Sequence, residues 1–168
     1  IDLGIQKSDR VGLISQNSLE CGEFQFAVAK TGAIGCGLNY RLHPRVIEKL
    51  INDAGLKVLF VQSQYSKLIN SMRLNLKTVE NFVGIGDGHG YQLDYESVIK
   101  KYPDKEISVE VKDEDPVMIS YSSGTTNTPK GVIMTHRNRM AFCLENCLFS
   151  ERYTPDDIVS VSAPWCAG

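Results

Sequence analysis

The segment Tyr121–Thr135 reads YSSGTTNTPKGVIMT and carries the chemistry that stands out in this chain. Ser122, Ser123, Thr125, Thr126 and Thr128 supply hydroxyls, Lys130 supplies a point charge, and Gly124 and Gly131 let the backbone turn tightly and approach a ligand closely. A loop of this kind can wrap a polyphosphate with amide and hydroxyl donors while the lysine offsets charge. Apolar runs flank it. Val117–Tyr121 reads as a strand entering the loop and Val132–Met134 as a strand leaving it. A plain Ser/Thr surface turn rarely needs two glycines, a rigid Pro-Lys pair and two flanking strands.

A Walker loop fails on two positions. That pattern places glycine before its lysine and Ser or Thr after it. Here Pro129 precedes Lys130 and Gly131 follows. Proline has no amide hydrogen to donate to a phosphate, and glycine has no hydroxyl to hold magnesium. The present loop also runs into a strand, where a Walker loop opens a helix.

The elements that must hold this loop alternate between strand and helix signals. Strands are expected at Val11–Ser15, Ala33–Leu38, Val58–Gln62 and Phe82–Ile85, and a last one at Ile158–Ser162. Helices are expected at Leu19–Thr31, Tyr65–Met72, Tyr95–Tyr102 and Arg137–Ser150. The clearest is Pro44–Ala54, with proline at its start, a stripe of Val46, Ile47, Leu50, Ile51 and Ala54, and Gly55 at its end. On the first helix Phe24, Ala27 and Val28 share a side. Lys105–Pro116 is charged and reads as an exposed connector. The alternation predicts an α/β fold with a largely parallel sheet flanked by helices.

Composition narrows the function. The chain has 168 residues and a formal net charge of −2, so it offers no field for nucleic acid or an anionic membrane. No apolar run approaches membrane-spanning length and no signal segment opens the chain. Its five cysteines lack regular spacing, which points to a reducing, cytoplasmic setting rather than a disulfide scaffold.

Other candidate features resolve less far. Gly84, Gly86, Gly88 and Gly90 follow a strand, but the next residues at dinucleotide-fingerprint spacing are His89 and Tyr91, so a loop is expected. Cys143 and Cys147 fall on an apolar stripe with Met140, Leu144 and Leu148, which reads as core packing rather than a metal site. His136 has no nearby acid to orient it. Thr135 is placed to cap the following helix with His136 in its first turn, a structural role. His43 and His89 show no partner in the sequence. Cys21, Cys36 and Cys166 would be reactive only if their thiols were held at a lowered pKa.

At Ser123-Gly124-Thr125-Thr126-Asn127-Thr128-Pro129-Lys130-Gly131, followed by Thr135-His136-Arg137-Asn138, the chain resembles the adenylate-forming (AMP-binding) acyl-CoA synthetases. That superfamily also holds luciferases and the adenylation domains of peptide synthetases. Its loop has the form Ser-Gly-Thr-Thr-Gly-x-Pro-Lys-Gly. Asn127 stands where glycine is usual, and asparagine is the best other residue at positive φ. Ser8–Ser18, Ala29–Ile34, Leu38–Leu42 and the passage from Asp156 to Trp165 look like further parts of the same pattern. Gly37 replaces a common proline, and no histidine appears around Pro164–Ala167.

The resemblance implies a function. The parent protein would activate a small-molecule carboxylic acid with ATP as an acyl-adenylate and pass the acyl group to coenzyme A. Ser122, Ser123, Gly124, Thr125, Thr126 and Lys130 would hold the phosphates, and magnesium would accompany the ATP. Residues 1–168 would form a single α/β domain, the first portion of a larger AMP-binding domain truncated at both ends. The chain starts at Ile1, and a complete ligase would be roughly three times as long. Adenine- and ribose-binding motifs and a late catalytic lysine would lie beyond Gly168, so this stretch alone would not turn over. The Leu38–Leu42 run looks more like acyl- or aryl-CoA ligases than amino-acid-activating domains. A non-catalytic nucleotide-binding or scaffold domain is the alternative.

Overall fold

The computed structural model describes residues 3–103, 105–122, 129–154 and 156–158. Its centre is a seven-stranded sheet in the order β5-β4-β3-β1-β2-β6-β7. The strands are β1 (Arg10–Ile14), β2 (Ile34–Gly37), β3 (Val58–Gln62), β4 (Asn81–Ile85), β5 (Leu93–Asp94), β6 (Pro116–Ser122) and β7 (Lys130–Thr135). Every neighbouring pair is parallel except β6 and β7, which run antiparallel. The helices are α1 (Leu19–Thr31), α2 (Pro44–Ala54), α3 (Ser66–Met72), α4 (Tyr95–Ile99) and α5 (His136–Glu145), the last continued by a π-helical turn over Asn146–Ser150.

Strand composition explains the layering. In β3, Leu59 and Val61 join one buried cluster with α2 and α3, while Val58 and Phe60 join another with α1 and α4. Alternate side chains leave a strand on opposite faces, so a parallel sheet covered on both sides needs near-continuous apolar strands. VLFVQ is such a run.

The strongest helix obeys its sequence signals closely. Pro44 occupies the first turn of α2, where its missing N–H costs nothing, and His43 Nδ1 accepts a hydrogen bond from the Arg45 amide at 3.3 Å. Ile47, Leu50, Ile51 and Ala54 are buried. Each large one contributes about 1.5–3 kcal/mol by leaving water. Gly55 closes the helix in the left-handed conformation, and Arg10 Nε donates to the Ala54 carbonyl at 3.0 Å. A cation there also suits the negative end of the helix dipole.

Two expectations need adjusting on α1 and α4. The inward face of α1 is Cys21, Phe24 and Val28, while Ala27 is exposed. α4 ends at Ile99 and turns at Lys100–Tyr102 rather than continuing. The charged connector is irregular, as expected, but it is pinned. Lys7 pairs with Asp115 at 2.6 Å and Lys30 with Glu106 at 2.8 Å. The strand expected at Ile158–Ser162 falls, from residue 159 onward, outside the described residues.

Candidate functional site

The one antiparallel step in the described sheet flanks the predicted loop. β6 and β7 pair from Pro116 with Thr135 out to Ser122 with Lys130, and residues 123–129 connect the two strand ends in sequence. Both flanking strands form where the sequence placed them: β6 is one residue longer at each end, and β7 is twice its expected length, taking Lys130 and Gly131 out of the loop and into the strand. A strand-loop-strand hairpin is geometrically unlike a Walker loop, whose phosphate grip relies on the helix that follows.

Of the six predicted phosphate-binding residues, Ser122 and Lys130 are described. Ser123, Gly124, Thr125 and Thr126 lie outside the described residues, as does Asn127. Ser122 and Lys130 face each other across the mouth of the loop. Directly opposed residues of an antiparallel pair share a face of the sheet, so both side chains project on one side. Ser122 Oγ donates a long hydrogen bond, 3.4 Å, to the Lys130 carbonyl. Lys130 is exposed, and its ammonium has no ion-pair partner among the described residues. The site can therefore offer one hydroxyl and one unneutralised cation at the base of a seryl- and threonyl-rich loop.

The residues after β7 serve a different end. Thr135 caps α5: its Oγ1 accepts from the Asn138 amide at 3.2 Å, and the Thr135 amide donates to Asn138 Oδ1 at 3.0 Å. This reciprocal pair is a capping box. The Thr135-His136-Arg137-Asn138 run is thereby explained as a helix start. The first amides of α5 are also taken, by the Asp115 carbonyl from His136 at 3.1 Å and the Asp113 carbonyl from Arg137 at 2.9 Å. A phosphate has no free donor there. Thr135→Ala is expected to lower stability by about 1 kcal/mol, read from the denaturation midpoint, with the loop chemistry little changed.

The apolar stripe on α5 is not core. Met140, Phe142, Leu144, Leu148 and Phe149 are exposed, as are Cys143 and Cys147, and α5 contains no buried residue. Helical spacing identifies an apolar face but not what covers it. β7 is the last strand on that side of the sheet, and no described element crosses the far side of α5. Val132 and Ile133 of β7 are exposed as well.

Other candidates settle on geometry. Cys36 is buried, and burial together with the nearby Asp53 charge pushes its thiol up to about 12, so it is no nucleophile. Cys21 is buried too, and its thiol donates to the Gln16 carbonyl at 3.1 Å. Cys166 lies outside the described residues. The glycines after β4 form a loop held by His89, whose Nδ1 accepts from the Tyr91 amide at 2.9 Å. His136 Nε2 is buried without a hydrogen-bond partner among the described residues. It borders an open groove of about 440 Å³ between α1, the connector and α5.

Sequence reasoning passed over Tyr121 as a functional residue. Its hydroxyl donates to Asp53 Oδ2 of α2 at 2.6 Å, across 68 positions of sequence. Burial and the adjoining Asp53 carboxylate hold the phenol well above its ordinary pKa. The tyrosine was visible next to the loop, but nothing in the local sequence marks Asp53 as its partner.

Comparison with known proteins agrees with this architecture. A family model described as AMP-binding enzyme matches residues 1–167, and the chain belongs to that family. A long-chain-fatty-acid–CoA ligase of Thermus thermophilus is 35% identical over 137 residues, covering 80% of this chain and 25% of that protein. A probable acyl-activating enzyme of Arabidopsis thaliana is 30% identical over 153 residues, 82% of this chain and 29% of its own length. Among solved structures, an anthranilate CoA ligase in complex with anthranoyl-AMP superposes with a TM-score of 0.80 at 34% identity, over 88% of this chain and 28% of that one. The chain thus spans 25–29% of the length of these curated relatives.

Proposed function

We propose that the full-length protein is an acid–thiol ligase that uses ATP to activate a carboxylic acid as its acyl-adenylate and then forms the coenzyme A thioester. Residues 1–168 are, on this reading, the first part of its AMP-binding domain and carry the phosphate loop. The observation that bears most weight is the antiparallel β6–β7 pair, which sets the Ser122 hydroxyl opposite a Lys130 that has no ion-pair partner among the described residues, on either side of the hydroxyl-rich segment. The family match and the relatives' names, which are those of CoA ligases and acyl-activating enzymes, point the same way.

The roles follow from charge. ATP presents its β- and γ-phosphates to the loop, where Ser122, Ser123, Gly124, Thr125 and Thr126 donate hydrogen bonds and Lys130 offsets negative charge. Attack of the carboxylate on the α-phosphate transfers charge to departing pyrophosphate, so fixed donors and a cation at that end lower the barrier. Magnesium would accompany the nucleotide and offset negative charge on its phosphates. The exposed Lys130 and Ser122 fit a phosphate chain and leave the metal to be held by the nucleotide.

No helix among the described residues is long and apolar enough to cross a membrane. We place the protein in the cytoplasm, where its free thiols remain reduced. The scaffold alternative is disfavoured by the exposed apolar side chains of β7 and α5, which a free-standing binding domain would bury.

Exchange of labelled pyrophosphate into ATP by the full-length protein, with and without a panel of aliphatic and aromatic acids, tests the reading. Acid-dependent exchange followed by thioester formation on adding coenzyme A is expected. Nucleotide binding with no exchange on any acid would contradict it.

A further inference from the structure

We propose that Tyr121 is a positioning residue for the phosphate loop, acting as a strut between the loop's incoming strand and Asp53 on α2. The proposal rests on the reading of residues 123–129 as a phosphate site and adds the device that holds that loop in place.

The tip of the hairpin projects beyond the sheet. β2 pairs with β6 only at Gly35 with Met118 and Cys36 with Ile119. Past Ile119, β6 has no parallel neighbour, and Ser120, Tyr121 and Ser122 pair only with β7, the edge strand. Two strands alone are marginal, so the opposed Ser122 and Lys130 at such a tip would be loosely held. A second tie to the body of the protein is needed, and the hydrogen bond from the Tyr121 hydroxyl to Asp53 Oδ2 spans the gap at 2.6 Å. It is short and has an ionised acceptor, the stronger kind of hydrogen bond.

Two further features are built around this contact. The residue opposite Tyr121 is Gly131. A Cβ at Gly131 would lie 3.3 Å from Tyr121 Cε1 and 3.4 Å from Cζ, so the glycine leaves room for the ring to lie along β7 on its way to α2. Ile119, one step back on the same face, also approaches this point, and both side chains pack against the buried α2–α3 cluster.

The other feature is the location of Asp53. It sits in the last turn of α2, where a negative charge opposes the helix dipole, and no basic residue of that turn offsets it. Local helix energetics would prefer alanine at this position. What the carboxylate does there is accept from Tyr121. The phenol is protonated across the physiological range, and burial with the Asp53 carboxylate raises its pKa further, so it remains the donor.

The geometry makes a separable prediction. Loss of the strut loosens the Ser122–Lys130 end of the strand pair while leaving the core intact, so the affinity for ATP changes and that for the acid does not. The test uses pyrophosphate exchange by the full-length protein carrying Tyr121→Phe, Asp53→Ala or both, with Lys130→Ala alongside. Each single strut variant is expected to raise the KM for ATP about tenfold with the KM for the acid unchanged. The double variant is expected to be no worse than either single one. Asp53→Ala should change the melting temperature little, because removing an unfavourable charge from the helix end offsets the lost hydrogen bond from Tyr121. A general loss of structure would instead lower kcat for all substrates and leave both KM values alone. An unchanged KM for ATP in Tyr121→Phe, or additive effects in the double variant, overturns the strut even if Lys130→Ala is defective. Should Lys130→Ala be unaffected as well, the phosphate reading fails and the strut fails with it.

Discussion

Replacing Lys130 by alanine in the full-length protein is expected to lower acid-dependent pyrophosphate exchange by about 10²–10³ in kcat/KM, the range for loss of one fixed group that stabilises developing charge. Stability should hardly move. Lys130 is the first residue of β7, is exposed, and forms no ion pair among the described residues, so its removal strands no partner. Surface changes of that kind stay within about 0.5 kcal/mol. The small strand preference lost on going to alanine is of the same order and affects only a strand end. The two readouts are thus well separated: a large kinetic change without a thermal one identifies a ligand-facing charge. Normal exchange by Lys130→Ala would falsify the assignment of this loop to the phosphates.

Much of the scaffold that holds Lys130 could be read from local pattern. The bounds of α1, α2 and β3 agree with expectation: α2 combines a clean apolar period with Pro44 and Gly55 at its ends, α1 is closed by Gly32, and β3 is a continuous apolar run. β5 was not foreseen. Leu93–Asp94 is too short to show a period, and it is a strand only because β4 offers an edge. The stripe on α5 was read correctly as apolar and incorrectly as covered, since amphipathicity gives the face and the neighbouring layers decide its burial.

The site divides along the same line. The loop was legible because its chemistry is contiguous in sequence. Its support was not, because Tyr121 and Asp53 meet only after β2, β6 and α2 are assembled. The same holds for the Thr135–Asn138 pair in part: the capping threonine was visible, while the reciprocal hydrogen bond from its amide to an asparagine side chain, in place of the usual Glu or Gln, needed the helix to be in place. Local reasoning therefore nominates candidate ligand-binding groups more readily than the long-range contacts that would aim them.

Gly84 gives the second large expected effect, and it reverses the impression of a loose glycine loop. Gly84→Ala is expected to destabilise the protein by about 2 kcal/mol in denaturant unfolding. Alanine in a strand ordinarily gains up to about 1 kcal/mol over glycine by reducing chain entropy. Here the new methyl would sit 2.0 Å from His89 Cγ and 2.2 Å from Nδ1. Those atoms lie at the root of the ring, so the whole imidazole must leave. With it goes the acceptor for the Tyr91 amide, and leaving such a donor unpaired costs about 1–3 kcal/mol. His89 also stacks on Tyr91, with ring centroids 5.7 Å apart, and Tyr91 stacks on Phe82 at the same spacing beneath the Arg73 guanidinium. Overpacking at such a stack adds about 1–3 kcal/mol, so the steric and hydrogen-bond losses outweigh the entropic gain. The mechanism predicts non-additivity: His89→Ala alone costs about 1 kcal/mol, and Gly84→Ala added to it costs nothing further because the clash is already gone. If the two losses simply add, the ring of His89 is not what Gly84 makes room for.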